Sequence, residues 1–413
     1  MSYGVRERLF APDNRMQVVG VSVAAVLLVV APFVLGGFQT SLLTQTLIFA
    51  VFATAFNLLY GYTGLLSFGH AMFVAAAGYT AAKVVQQLAP ALGVADIFGG
   101  AALLVVWLLA LLLGTVTAAL LAVFIGYLSV QLEEIYFAMI TLSFSMAIFV
   151  IVNQDIIGSV LEAVGIGGGT FTNGSDGLTF RMGDVNLFGL EFRLVNIADP
   201  TAFYLLTLLV FAVAMYALYR IVNSPFGTTC QAIRENPERA RALGIDTTYH
   251  SWMTFIISGA FSGTAGAMLV MLKTGILPAD AFWTSSATPV VMTVIGGPYA
   301  FFGPLAGAFT YEYLRWFIRQ FPLLEEFWEF SFGFLLLIVV LFFDNGVYGG
   351  VRRLRAWLGL ARDRYREDGV AGVAALVRET VVAGLRAAAT IVRGLLATLR
   401  QRLLAVAARI GLG

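Results

Sequence analysis

The chain has 413 residues, 59% of them hydrophobic and only 12% charged, with a mean hydropathy of +0.87 and a net charge of +1. Soluble domains carry about 25% charged residues, so a water-soluble fold of this size is excluded. A single cysteine, Cys230, excludes a disulfide framework and a thiolate metal cluster, and two histidines, His70 and His250, argue against a histidine metal site.

Between Arg15 and Lys83 lie 67 residues without one Asp, Glu, Lys or Arg. As a single helix they would run about 100 Å at about 1.5 Å per residue, against a hydrocarbon core of about 30 Å, so they cross about three times. Further charge-free windows cover 97–132, 135–154, 200–219, 247–272 and 281–311. Backbone polar groups in lipid need internal partners, and the windows lack the alternation of barrel strands; the spans are therefore helices. The expected fold is all-α and polytopic, with about ten transmembrane helices (range about 8–10). In chain order they fall at 17–36, 42–60, 64–88, 99–125, 133–153, 200–220, 251–272, 284–296, 303–320 and 327–346. The first apolar segment has no small-residue cleavage site followed by a soluble domain, so it reads as a retained span.

Charge sets the expected orientation, because basic segments beside spans belong on the cytoplasmic side. Residues 1–16, with Arg6, Arg8 and Arg15, form a cytoplasmic amino terminus. The transmembrane domain covers 17–350, with an external loop at 154–199, mostly acidic, and a cytoplasmic loop at 221–250 containing Arg234, Arg239 and Arg241. From Val351 onward stand 12 Arg against 4 acids, so 351–413 is a cytoplasmic tail. If both termini are cytoplasmic, parity demands that the window 281–311 be split at Gly296-Gly297-Pro298. The tail cannot span; Arg386, Arg393 and Arg400 recur every seven residues, which reads as an amphipathic helix on the inner membrane surface.

No phosphate-binding G-x-x-x-x-G-K-[ST] loop occurs, and neither lysine, Lys83 or Lys273, follows a glycine. If ATP drives transport, another subunit hydrolyses it, and no cofactor is expected in this chain.

Three segments carry a family resemblance: GYTGLLSFGHAMFVAAAGY at Gly61–Tyr79, NGSDGL at Asn173–Leu178 and SPFGTTCQAIRENPERARALGI at Ser224–Ile245. They resemble the branched-chain amino acid permeases of ABC importers, the LivM type, over the region from Leu42 to Gly350. The resemblance implies a permease subunit without chemistry of its own, in the cell membrane of a prokaryote. It implies as partners a second, LivH-type permease, two ATP-binding subunits, an external substrate-binding protein and membrane lipids, but no nucleic acid. Urea and short-chain amide importers share much of the pattern, so that alternative stays open. An ion-coupled secondary transporter would want buried acids in its spans, yet from Met16 to Leu132 the only acid is Asp96.

The segment after Arg234 can also be read from its residues. Asn236 is a good N-cap, Pro237 fits the first helical position, Glu238 sits at the positive end and Gly244 stops the helix. A helix of about seven residues is below the roughly 12–15 that stand alone, so it must be held by something. Ala240 and Leu243, at i and i+3, offer a small apolar face suited to a groove on a partner. The resemblance makes this the loop that docks on the ATPase, through Arg234, Glu235, Asn236, Glu238, Ala240, Leu243 and Gly244.

Candidates for the translocation path are polar groups at membrane depth. Asn57, Ser67 and His70 flank a glycine-rich segment that reads as a broken helix. For His70 two readings are open, a path residue or a neutral histidine bonded to a neighbouring helix. Glu312 and Arg315, at i and i+3, share one helix face, either snorkelling to the interface or contacting the external binding protein or the outer gate.

Overall fold

The structure is a computed structural model that describes residues 12–165, 170–180, 184–187, 190–193, 200–322, 326–327, 330–334, 337, 346–350 and 359–360. The chain divides into two compact units, Met1–Gly349 and Gly350–Gly413. Nearly all of the second lies outside the described residues, as do the expected tail helix and much of the expected span at 327–346.

The long helices follow the charge-free windows. α1 (Pro12–Val34) and α2 (Gly37–Thr63) are separated by an extended Gly36. α2 ends at Gly64, whose left-handed conformation (φ 82°) returns its N–H to Tyr60 O at 3.0 Å. Residues 64–70 are then non-helical, so the next helix starts at Ala71 and not at the expected 64. The break is held locally: Gly69 N–H donates to Ser67 Oγ at 3.2 Å. α3 (Ala71–Lys83) runs into a π-helical turn at Val84–Leu88, which keeps this span going to about its expected end. Short turns at Ala89–Ala91 and Val94–Phe98 lead to α4 (Ala102–Ser129), α5 (Glu134–Asn153) and the small α6 (Ile156–Ala163).

Beyond α7 (Thr201–Val222), the short α8 (Pro225–Glu235) and α9 (Pro237–Ala242) precede the long α10 (Thr247–Lys273). α11 (Trp283–Gly296) and α12 (Gly303–Ile318) form a hairpin about the glycine-proline cluster, where parity demanded a split. At 14 and 16 residues these helices reach about 21 and 24 Å, less than a full hydrocarbon core of about 30 Å. Among the described residues five helices, α2, α4, α5, α7 and α10, are long and apolar enough to cross a membrane. The chain is an all-α polytopic membrane protein. Its strands only clip loops: β1 (Leu178–Thr179) pairs antiparallel with β4 (Gly275–Ile276), and β2 (Asp184–Leu187) with β3 (Leu190–Arg193).

α2, α3 and α10 form the centre, where Leu59, Phe73, Phe137 and Phe255 make one buried cluster and Leu47, Val51, Tyr204 and Met268 another. The bundle has two distinct ends. At the loop end, the C-termini of α3, α5 and α10 meet the segment after α5: Gln86 Nε2 donates to Thr179 O (3.0 Å), Thr172 Oγ1 to Val152 O (2.7 Å) and Phe180 N to Thr274 O (3.1 Å). At the opposite end, the C-termini of α2, α4 and α7 lie beside α8 and the start of α10, where Trp252 Nε1 donates to Val123 O (3.0 Å). This alternation is what successive crossings demand.

Candidate functional site

The second end holds the segment expected to couple. Ser224 caps α8, its Oγ accepting from Gly227 N at 3.5 Å, and Asn236 caps α9, its Oδ1 accepting from Arg239 N at 2.8 Å. Pro237 opens α9 and Gly244 (φ 82°) ends the turn, both at the positions the sequence indicated. The helix is six residues long and is tied back by Ile245 N to Ala240 O (3.1 Å) and Arg241 Nε to Thr247 Oγ1 (2.9 Å).

Burial here corrects one expectation. Ala240 is 3% exposed and packs within its own chain, whereas Leu243 is 77% exposed. The two do not share an outward face, because Leu243 has left the helix and Ala240 is turned into the chain. Of the residues expected to couple, Glu235, Asn236, Glu238, Leu243 and Gly244 face outward, alongside the exposed Arg239 and Arg241. Arg234 also turns inward: its guanidinium donates to Gly61 O at the C-terminal end of α2 and to Glu235, and stacks over Tyr299 at 4.9 Å. Tyr299 belongs to the tip of the α11–α12 hairpin, and the neighbouring Phe301 meets Tyr219 of α7 with ring centroids 5.3 Å apart. A cation at a helix C-terminus meets free carbonyls and the negative end of the dipole. Arg234 therefore joins the coupling segment, the broken helix and the hairpin tip. Cys230 is fully buried beside Thr254 Oγ1 (3.3 Å), and burial pushes its thiol pKa up.

Three path candidates sit deeper. His70 is fully buried among Phe56, Phe73 and Phe255. Ser258 Oγ donates its one proton to Ala55 O (2.6 Å), so the 2.8 Å contact between Ser258 Oγ and His70 Nε2 has the histidine as donor. His70 thereby stitches α3 to α10 and α2, the role of a histidine bonded to a neighbouring helix. Ser67 belongs to the break itself. Both amide atoms of Asn57 are buried without a hydrogen-bond partner among the described residues.

Glu312 is 3% exposed and accepts from Gln45 Nε2 at 3.2 Å. It turns into the bundle and not out to an interface, which corrects the snorkelling reading. Arg315 lines a cavity of about 320 Å³ between α2, α3, α10, α11 and α12, towards the loop end. One wall is polar, with Lys273, Asp280, Thr284, Ser285 and Thr288 beside Arg315. Lys273 Nζ and Asp280 Oδ1 are 3.0 Å apart. The side formed by α2 and α3 is apolar, with Ile48, Phe52 and Val74, and Leu269 of α10 adds to the apolar lining. Of these only Arg315 was a candidate from the sequence. The others lie on segments far apart in the chain; the only sequence signal is that Lys273 and Asp280 are the charges bounding two apolar windows.

The loop end has its own hub. Asp155, at φ 47°, caps α6 and accepts from Phe171 N (2.8 Å), Thr172 N (2.7 Å) and Thr172 Oγ1 (2.9 Å). Burial alone would raise its pKa, but these bonds outweigh it and hold the carboxyl below the usual range. The NGSDGL segment follows directly, with Asn173 Nδ2 donating to Gly177 O (3.1 Å), and leads into β1.

A multi-span helical bundle with a broken central helix, a charged cavity at one end and a capped helix pair at the other is a membrane permease. The chain belongs to the family described as the branched-chain amino acid transport system permease component, whose model matches residues 38–340. It is similar to the high-affinity branched-chain amino acid transport system permease protein LivM of Salmonella typhimurium, 25% identical over 342 residues, 78% of this chain and 73% of that one. It is also similar to the LivM of Escherichia coli, 26% identical over 333 residues, 79% of this chain and 73% of that one. No solved structure matches the chain.

Proposed function

We propose that this protein is one permease subunit of a LivM-type ABC importer for branched-chain amino acids. It works beside a second, LivH-type permease and two ATP-binding subunits, which bind the nucleotide, and receives substrate from a binding protein at the loop end. The end carrying α8 and α9 is cytoplasmic, by the basic residues around it, as are both termini. The observation that carries the reading is the coupling segment: a capped short helix presents Leu243, 77% exposed, to the outside while Arg234 behind it grips the end of α2. An exposed apolar side chain raised on a fixed turn among charged residues suits a groove on an ATPase. Movement there would pass through Arg234 to the broken helix and the hairpin tip.

Leu243→Asp tests this without touching the fold, because the site is exposed. The variant should reach the membrane in normal amounts, yet lose its ATP-binding subunits on purification and lose leucine uptake. A variant that keeps both would refute docking at this loop. Ala240→Arg is the wrong probe, since Ala240 is buried within the chain and an arginine there would disturb α9 before any partner arrived.

A further inference from the structure

The 320 Å³ cavity has a lining that names a ligand. Its size falls at the small end of the roughly 300–1,000 Å³ of ligand pockets. Its polar wall carries charge of both signs, Lys273 and Arg315 against Asp280, within a pocket whose other wall is aliphatic and aromatic. A neutral polar solute such as urea has no use for opposed charges and gains nothing from Ile48, Phe52, Val74 and Leu269. An ion alone would leave the apolar wall unused. We propose that the cavity is a transient binding site on the transport route for a zwitterionic amino acid with an aliphatic side chain. The proposal rests on the importer reading and adds to it the site and the groups that recognise the substrate.

The chemistry of each group fixes the orientation. The Arg315 guanidinium, with five N–H donors in a planar fork, suits the α-carboxylate two bonds at a time. Asp280 takes Lys273 Nζ at 3.0 Å on Oδ1 and Leu277 N at 3.1 Å on Oδ2. A carboxylate has about four acceptor sites, so Asp280 can still receive the α-ammonium. Ser285 Oγ gives its proton to Ala279 O at 3.1 Å and keeps its lone pairs as further acceptors. The aliphatic side chain then lies against α2 and α3, next to the break at 64–70, where Ala71, another wall residue, donates its backbone N–H to Ser286 Oγ (2.8 Å). The substrate thus rests on the element that Arg234 ties to the coupling segment.

Two measurements on the complete complex test the site. Thr284 is an exposed wall residue, so Thr284→Cys gives a thiol in the cavity, with the parent chain and its buried Cys230 as background. L-Leucine at millimolar concentration should slow its modification by a methanethiosulfonate reagent severalfold. Leucinamide, without the carboxylate, and 4-methylpentanoate, without the ammonium, should not. Absence of leucine protection, or equal protection by all three, would overturn the site. Thr284→Trp should fill the cavity and cut leucine uptake by about tenfold or more, the loss of about 1.4 kcal/mol in the transport step, while ATP hydrolysis stimulated by loaded binding protein persists. Unchanged uptake would overturn the cavity and leave the importer standing. Leucine protection in a complex that moves no leucine with ATP would keep the cavity and overturn the importer.

Discussion

The central helices α2 and α10 and the peripheral helices α4, α5 and α7 invert the rule learned from soluble proteins. The most hydrophobic window of α2 is 83% buried and that of α10 72%, against 28% for α4, 22% for α5 and 33% for α7. Yet the leucine-rich α4 lies in the periphery, and the centre sets Ala, Gly, Ser and Thr among its buried Leu, Phe and Met. Lipid tails are as apolar as leucine, so no solvent force drives leucine inward; close backbone approach and interhelical hydrogen bonds hold the centre instead. α4 shows both behaviours on one helix. Its row Ala110, Gly114, Ala118, Ala122 and Gly126 is buried at spacing four, while Leu108, Leu112, Leu120 and Phe124 are exposed on other faces.

The largest effect that would break this comparison is at Gly266 on α10. A Cβ there would stand 2.5 Å from Val74 O and 2.6 Å from Val74 Cα, which are backbone and cannot turn away. Gly266→Leu should cost about 3 kcal/mol or more, the upper range of overpacking, and remove most of the assembled protein from the membrane. Leu112→Ala, at a site 61% exposed, should shift stability by no more than about 0.5 kcal/mol. Thermal unfolding in detergent compares the two. Equal losses would mean that the α4 surface is packed like the centre, as a covering subunit would make it.

The next effect concerns the link between centre and surface. Arg234→Ala removes a charged hydrogen bond to Gly61 O and the contact with Tyr299, together about 2 kcal/mol. The chain should insert, and α2 should loosen at its end, as faster hydrogen exchange over 59–63 would show. Uptake should fall while the ATP-binding subunits stay attached, because Leu243 is untouched. Normal uptake would exclude Arg234 from coupling.

How much of this was legible depends on how local each feature is. The helix windows, the cap at Asn236, the stop at Gly244 and the hairpin at Gly296-Gly297-Pro298 are written in neighbouring residues. The buried row of α4 was equally legible, since its small residues recur every four positions. The direction of Ala240 was not: a six-residue helix with a turn has too few positions to define its inner face. Nor was the cavity, whose walls come from five helices and join residue 48 to residue 315. Asp155 counted only as one more acid of an external loop, because its partners at 171 and 172 are set by a loop path that no periodicity reports.

At the loop end the comparison is with a polar hub in place of packed small residues. Asp155→Asn should weaken the bonds to Phe171 and Thr172 by about 1–2 kcal/mol. The pH dependence has a fixed sign. The carboxyl is held below its usual value in the folded chain, so its contribution is complete above the ordinary carboxylate range of about 4 and is lost as pH falls through the lower, folded value. Amide exchange at 171 and 172 should therefore be flat between neutral and mildly acid conditions, after allowing for intrinsic rates, and should accelerate only below about pH 4. The Asn variant should exchange fast throughout.

The smallest effect on stability gives the sharpest reading of the coupling segment, where the inversion recurs in miniature: small Ala240 inside, large Leu243 outside. Cys230 cannot report on this end, because it is fully buried and its thiol pKa is raised; a thiolate-directed reagent reaches it only if α8 opens. Leu243→Cys places a thiol on the surface at a cost of no more than about 0.5 kcal/mol. In intact cells an impermeant maleimide should leave it unmodified. In inverted membranes stripped of ATP-binding subunits it should react fully, and adding those subunits back should block it. A control cysteine at Asn223→Cys, exposed just past the end of α7, should not change with the subunits. Reaction from outside intact cells would reverse the orientation of the bundle and move the binding-protein surface to the other end. Equal reaction with and without the subunits would keep the orientation but free Leu243 of any partner. Only protection confined to position 243 joins the exposed leucine, the inward arginine and the broken helix into one route from ATP to the cavity.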